Sequence, residues 1–428
     1  MEQEMRTAAS GGGSGLRAHS SVCFSGALID GPRIQQLLLH CAAALESNDV
    51  TLAQQAMWVL NNIASSQGDP NQRLTSWLLR ALVARACRQL CAPAGTTQEA
   101  AAVRPRERAV SVTELAEYVD LTPWHRFGFT ASNSAILRAV AGSAAVHVVD
   151  LGVTRCMQWP TLIDMLSKRP GGPPALLRIT VPSARPTVPP LLGVPDEELG
   201  VRLANFAKSK GVRLEFNVAG KGTGTSPASS PEKAAAAAPC QNLASVLSDP
   251  PSLALRDGEA LVVNCQSWIR HVAPGSRDAF LDAVRALNPC LVTVTDEDAD
   301  LDSPSLASRI EGCLNFHWIL FDALDTSAPR DSPRRAEHEA AVGRKIESVV
   351  GADDAGGGAE RSESGARLAE RMRRNGFAGV AFDEETAGEV RRLLSEHATG
   401  WGVKREEDML VLNWKGHGAV YTSAWMPN

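Results

Sequence analysis

The residues best placed to do chemistry form one run, Asp150-Leu-Gly152-Val-Thr-Arg-Cys-Met-Gln158-Trp159-Pro160, directly behind the apolar stretch 145–149. An acid and a glycine at the carboxyl end of a first strand are where an open parallel sheet takes a nucleotide-type ligand. Asp150, Gly152 and Gln158 are therefore the candidate pocket residues. A turn that brings backbone close to a phosphate or carboxylate needs more glycines, and this run has only Gly152. Pro160 suits a first helical position, so the helix starts late and its positive end stands away from the strand tip. The run reads as a wide structural loop anchored by Trp159, and no cofactor is expected.

Other constellations fall short of a reaction. Cys265 lies near His271 in sequence, but no third group orients the pair as a thiol nucleophile needs. Asp296, Glu297, Asp298 and Asp300 have the chemistry of a hard-cation site, yet such a run more often forms a solvated strand end. Cys87 and Cys91 share a helix face without a nearby histidine or second cysteine pair, so no metal is expected. Nucleophile elbow, zinc-protease and P-loop motifs are absent, and the chain is not expected to be an enzyme. Basic residues gather in three places: Arg104, Arg106 and Arg108; Arg330, Arg334 and Arg335; and Arg367, Arg371 and Arg374 with Arg373. Joined across a groove they would suit DNA phosphates, although Glu107, Asp331, Glu337 and Glu370 dilute them.

The elements that must carry these residues are legible from periodicity. Residues 1–26 read as a disordered segment. From Ile34 the apolar spacing is helical, through Leu37, Leu38, Cys41 and Leu45; a second helix opens at the cap Asp49, and a third at Asp69-Pro70-Asn71-Gln72. The third is expected to bury Leu74, Trp77, Leu78 and Leu82. Short connections pack these helices as a bundle. At 145 the pattern changes to short continuous apolar runs, 145–150, 176–181, 213–218, 260–265 and 290–295, interleaved with helices. That is a parallel sheet covered on both faces. Segments 377–383, 409–414 and 419–425 end the chain, the last two as an antiparallel hairpin at the sheet edge. The expected division is a helical cap over 27–125, completed by 303–348, and a Rossmann-like core over 126–428. Low-complexity inserts interrupt the core at 221–239 and 351–365.

Composition sets the outer limits. The 428 residues are 44% hydrophobic and 21% charged, with a formal net charge of −5, which excludes a wholly basic nucleic-acid module but not a local basic face. Apolar runs stay below membrane-spanning length and the first residues lack a basic-then-apolar signal, so no membrane role is expected. The nine cysteines have no C-x-x-C spacing, which suits a reducing compartment.

Taken in order, these blocks resemble the plant GRAS family, and within it the scarecrow-like members. Val146-His147-Val148-Val149-Asp150 is similar to the family's Val-His-Ile-Ile-Asp signature, with Gln158-Trp159-Pro160 at the usual distance. The leucine-rich helices at 34–91, the block from Trp318 to Ser332, Trp414-Lys415-Gly416 and the terminal Ser423-Ala424-Trp425 continue the likeness over about 27–426. The resemblance implies a nuclear transcriptional regulator with a methyltransferase-like doubly wound sheet and an α-helical cap. It also implies dimerisation with itself or other GRAS proteins, association with DNA-binding transcription factors, and for some members direct contact with double-stranded DNA. A second glycine common before the Gln-Trp pair is missing here, and the growth-repressor motif of the gibberellin-responsive subgroup is not found. The competing reading is a small-molecule-binding protein or methyltransferase that uses the Asp150 pocket.

Overall fold

The computed structural model describes residues 30–91, 109–154, 156–183, 185–186, 188, 190–220, 247, 253–351 and 360–428. The segments 1–26 and 221–239, and the arginines at 104, 106 and 108, lie outside the described residues.

Three helices open the described chain: α1 (Asp30–Glu46), α2 (Val50–Ile63) and α3 (Pro70–Cys91). The starts of α2 and α3 are set by side chains that satisfy otherwise orphaned amides. Asp49 accepts from the Leu52 amide, and Asp69 and Gln72 cap each other's backbone reciprocally, each at 3.0 Å. Leu38, Leu60, Leu74, Leu78 and Leu82 point inward and are fully buried. Trp77 is only half-buried, contrary to its place on the expected stripe: its ring lies against Gly343 and under the Arg80 guanidinium, 4.3 Å away.

A two-residue strand β1 (Ala109–Val110), then α4 (Val112–Asp120) and α5 (Trp124–Ala139), lead into the sheet. Its parallel half comprises β2 (Ala145–Asp150), β3 (Leu176–Pro182), β5 (Leu214–Ala219), β6 (Ala260–Gln266) and β7 (Leu291–Glu297). α6 (Trp159–Ser167), α7 (Asp196–Ser209) and α8 (Arg277–Ala286) lie between them. A short β4 (Leu191–Leu192) leaves the sheet to pair with β1. After β7 come the long helices α9 (Leu306–Ser327) and α10 (Pro333–Gly351), then α11 (Gly365–Arg374), β8 (Phe377–Gly379) and α12 (Glu384–Leu394). β9 (Trp401–Glu406), β10 (Met409–Trp414) and β11 (His417–Pro427) finish the chain.

Strand order is β5-β3-β2-β6-β7-β11-β10-β9, with β8 on β11. The first five are parallel and the last three antiparallel, a methyltransferase-like doubly wound arrangement. The terminal hairpin does not form the sheet edge. β11 runs inside, bonded to β7, β10 and β8, and the edge is β9, which the sequence pattern hides because Gly402, Lys404 and Arg405 break its apolar alternation. Charged residues on such a strand also discourage pairing with another chain. The strand expected over 377–383 stops at Gly379.

Both faces of the sheet are buried. Val146, Val148, Leu177, Ile179, Leu410 and Leu412 join the core that also holds the α1–α3 leucines and Ile310, Leu314 and Phe321 of α9. Val149, Val263, Val292, Val411 and Tyr421 face α8 and α11 on the other side. α9 and α10 pack on α1 and α3, so cap and sheet share one core. Trp414 and Lys415 at the hairpin each donate to Asp322 of α9 at 2.6 Å, fixing the cap to the antiparallel end.

Because β11 is an interior strand, removing residues 419–428 should leave β7 and β10 without their shared partner and expose the Trp414 face. The expected product is insoluble or partly unfolded by circular dichroism. A soluble truncated chain with a native thermal transition would make the hairpin an appendage.

Candidate functional site

The crevice between β2 and β6 is the point where strand order reverses, the general ligand position of open α/β sheets. Here it is occupied by the chain itself. The buried Asp150 carboxylate accepts from the Gly152 amide at 2.8 Å, the Trp159 indole at 2.8 Å and the Asn264 amide at 3.1 Å. Burial pushes its pKa up, and Arg185 and these donors oppose that rise. The Gln158 side chain is buried between Asn133 and Asn264, and Thr293 donates to Asn264 at 2.8 Å. Asp150, Gly152 and Gln158 are thus brought together, with Trp159 stapling the wide loop to the strand tip. Asn133, Asn264 and Thr293 complete the cluster. Sequence reasoning missed them because their contacts come from other strands and from α5.

The neighbouring tips are closed as well. After β3, Arg185 donates toward the Gly152 carbonyl in the loop that follows β2, at 3.4 Å, and β4 beyond it is held by its pairing with β1. α5 presses on the tips so closely that a Cβ at Gly128 would lie 2.6 Å from Thr295 and 2.8 Å from Gln266. Only glycine fits at that contact.

Over β6 and β7 the cover is ionic. Arg270 bonds Glu297 at 2.6 Å and Asp296 at 3.4 Å, while Lys345 of α10 reaches the other Glu297 oxygen. Ser362 donates to Glu297 at 3.2 Å, and the Arg361 amide to the Arg270 carbonyl at 2.7 Å. The insert expected over 351–365 to bury nothing therefore ends in the buried residues Arg361, Ser362 and Glu363, whose polar side chains conceal their place in the core. Burial raises Glu360, but His271, Lys345, Arg270 and His317 outweigh it and hold the carboxyl at about 2. Asp296, Glu297 and Asp300 are engaged by cations, and Asp298 accepts from the Gly365 amide at 3.0 Å. Among the described residues, no group of His, Cys, Asp or Glu is arranged to hold a metal ion.

The candidate arginines among the described residues are paired in the same way. Arg367 bonds Asp302 and Asp300, Arg371 bonds Glu363 and Asp278, and Arg374 bonds Asp278. Arg334 pairs with Glu117 and Glu337; Arg335 is buried between Asp325 and Glu339. Glu337 and Glu339 stand within a helical turn of their arginines, and Glu337 was already visible as a diluting acid; Glu117, Asp278, Asp300 and Asp302 lie far off in sequence and were not.

The signature histidine has a structural task. His147 bonds Thr180 at 2.8 Å and sits 3.5 Å from Glu259, which Arg178 bonds at 2.5 Å. Burial, then Arg178 and Arg256, lower its pKa to about 4. His338 of α10 bonds the Tyr118 carbonyl at 2.8 Å and stacks on that ring at 3.6 Å, and burial lowers it to about 4. Val146, Val148 and Val149 are core, Pro160 is the second residue of α6, one position later than expected because Trp159 already begins the helix, and Ser423, Ala424 and Trp425 are buried on β11.

The GRAS domain family model matches residues 34–426. Scarecrow-like protein 32 of Arabidopsis thaliana is 42% identical over 404 residues, covering 92% of this chain and 93% of that protein. Protein SHORT-ROOT of the same plant is 32% identical, covering 91% of this chain and 72% of that protein. The crystal structure of SCL7 from Oryza sativa superposes with a TM-score of 0.73 at 24% identity, covering 92% of this chain and 99% of that one.

Two outcomes follow from the geometry. Trp159→Phe keeps the ring but removes a donor from a buried carboxylate, and should cost about 2–3 kcal/mol by urea titration; an unchanged midpoint would make the staple incidental. The buried histidines govern acid stability. Above pH 6.5 they are neutral folded or unfolded; below it only the unfolded chain takes up protons, so stability falls as pH drops from 6.5 toward 4. Each such imidazole contributes roughly 3 kcal/mol across that window. His338→Gln, whose amide can still donate to Tyr118, should flatten the decline in thermal midpoint; an unaltered pH profile would exclude this origin.

Proposed function

The chain belongs to the GRAS domain family, and from that premise we propose that it is a nuclear regulator of plant transcription acting through protein partners. These include itself or other GRAS proteins, and DNA-binding transcription factors. The family supports the regulatory role: relatives include SHORT-ROOT proteins, the DELLA protein RGL3 and the Scarecrow-like transcription factor PAT1 of Arabidopsis thaliana. The observation that carries partner-mediated action is the state of the sheet tips. The crevice that would hold a small molecule is filled by Trp159, Gln158 and Asn264, so the methyltransferase reading finds no support in the geometry.

Direct DNA contact through the candidate arginines among the described residues, at 334, 335, 367, 371 and 374, is likewise not favoured. A guanidinium already held by a carboxylate must lose that partner before it can serve a phosphate. No described helix is long and apolar enough to cross a membrane.

The role is tested by fusing the whole chain to a heterologous DNA-binding module and reading a reporter in plant cells. Altered transcription is expected, and an inert fusion that accumulates in the nucleus would overturn the proposal. Arg371→Gln separates structural from DNA-binding arginines. It takes one cation from buried Glu363 and should lower the unfolding free energy read by urea titration by about 1–3 kcal/mol. A folded variant of unchanged stability with weaker, less salt-dependent DNA affinity would restore the phosphate role.

A further inference from the structure

The outer face of the cap carries an apolar cleft of about 190 Å³ between the end of α1, the start of α2 and the end of α3. Leu45, Val50, Ala53, Met57, Val83 and Cys87 line most of it. Trp58, 70% exposed, stands one helical turn beyond the lining residue Gln54 on the same side of α2. α2, VTLAQQAMWVLNNI, contains no Asp, Glu, Lys or Arg. Charges at the margins are turned elsewhere: Arg85 and Arg88 donate to the Val350 and Gly351 carbonyls, and Glu46 accepts from the Leu306 amide. A charged occupant would lose its hydration against apolar side chains, whereas an uncharged apolar one fits. Cavities of about 150 Å³ accept a benzene ring, so the cleft has room for the ring of a phenylalanine.

The chain itself supplies such an occupant. Residues 20–29, Ser-Ser-Val-Cys-Phe-Ser-Gly-Ala-Leu-Ile, hold no charged side chain and directly precede α1. They lie outside the described residues, so their reach and chemistry carry the argument. Ala44, the first cleft residue on α1, stands about 21 Å along that helix from Asp30 at 1.5 Å per residue. An extended chain advances about 3.3–3.6 Å per residue, so a segment running back along α1 brings Phe24 level with the cleft after about 20–22 Å. Trp58 lies on that path. It is about 12 Å back from Val50 along α2, near the level at which the small residues Gly26 and Ala27 pass. A tethered segment of this kind acts at an effective concentration of roughly millimolar, so a modest apolar contact suffices to hold it.

We propose that residues 22–28 of the chain lie along this face, Phe24 in the cleft and Gly26-Ala27 beside Trp58, and cover it until a partner displaces them. The displacement rests on the partner-mediated reading above; the cover itself does not.

Cys87 lines the cleft and is exposed where the segment is left out, so its alkylation by iodoacetamide in the full chain, read by peptide mass spectrometry, reports the cover. Val22→Asp combined with Phe24→Asp sets two carboxylates against apolar side chains and should speed labelling about tenfold. A synthetic peptide of residues 20–29 should slow it again. Val83→Asp, at an exposed position on the cleft, should speed it equally without touching the segment. Both variants should keep the parental thermal midpoint, with buried Cys313 unlabelled. Parent and variants labelled at one rate would overturn the proposal. So would protection of the parent that fades on dilution, because a second copy and not the chain's own segment would then be the cover. Either failure with reporter output intact would leave the regulatory role standing and remove only this contact.

Discussion

Glu297, the last residue of β7, is where the two parts of the molecule are joined. One of its oxygens is held by Arg270 beside the sheet, the other by Lys345 from the cap and Ser362 from the segment leading into α11. Such a cluster is weak evidence of net stability, because removing its charges from water costs several kcal/mol apiece. Its force lies in the alternative. Without α10, Glu297 and Asp296 would be left at the sheet tips short of a cation, and loss of one partner from a buried pair costs about 3–5 kcal/mol. The position of α10 is thereby prescribed, and α3 and α9, packed on it, follow. His338 and Arg335 repeat the logic along the same helix, reaching Tyr118 of α4 and Asp325 of α9.

The same physics explains what could be read from the chain and what could not. Helices α1–α3 and the parallel strands were legible because burial there is decided by apolar side chains with a regular period, and the caps Asp49 and Asp69 act within three residues of themselves. β9 was not legible, since an edge strand with one face near solvent tolerates glycine and charge. Residues 361–363 were concealed by polarity: Arg361, Ser362 and Glu363 are core because distant groups complete their bonds. The hairpin was recognised but misplaced, because pairing with its neighbour is local while pairing with β7 is not.

The candidate site divides in the same manner. The wide loop and its Trp159 anchor were visible in spacing, and the missing glycines already argued against a cofactor turn. That Asn133, Asn264 and Thr293 would gather around Gln158 and Asp150 was not visible, since they come from three elements that only the sheet order brings together. Helical spacing put Arg367, Arg371 and Arg374 on one side of α11. It was silent about Asp278, Asp300 and Asp302, which the fold sets opposite them.

Among the described residues, the strand tips are covered and the candidate arginines are paired with carboxylates. Among the described residues, α2 and α3 of the cap carry outward-facing apolar side chains, Leu52, Trp58 and Val83. These two facts are linked. α10, which covers the end of β7 through Lys345, also lies along α3 and takes Arg85 and Arg88 onto its final carbonyls. The outer face of α3 is therefore backed by the whole core, not by a detachable bundle. A surface held rigid in this way loses little conformational freedom when covered, so a modest apolar area there can yield more affinity than the same area on a mobile loop. Covering the tip of β7 and backing the outward face of α3 thus fall to the same helix, α10, held at Glu297 through Lys345 and against α3 through Arg85 and Arg88.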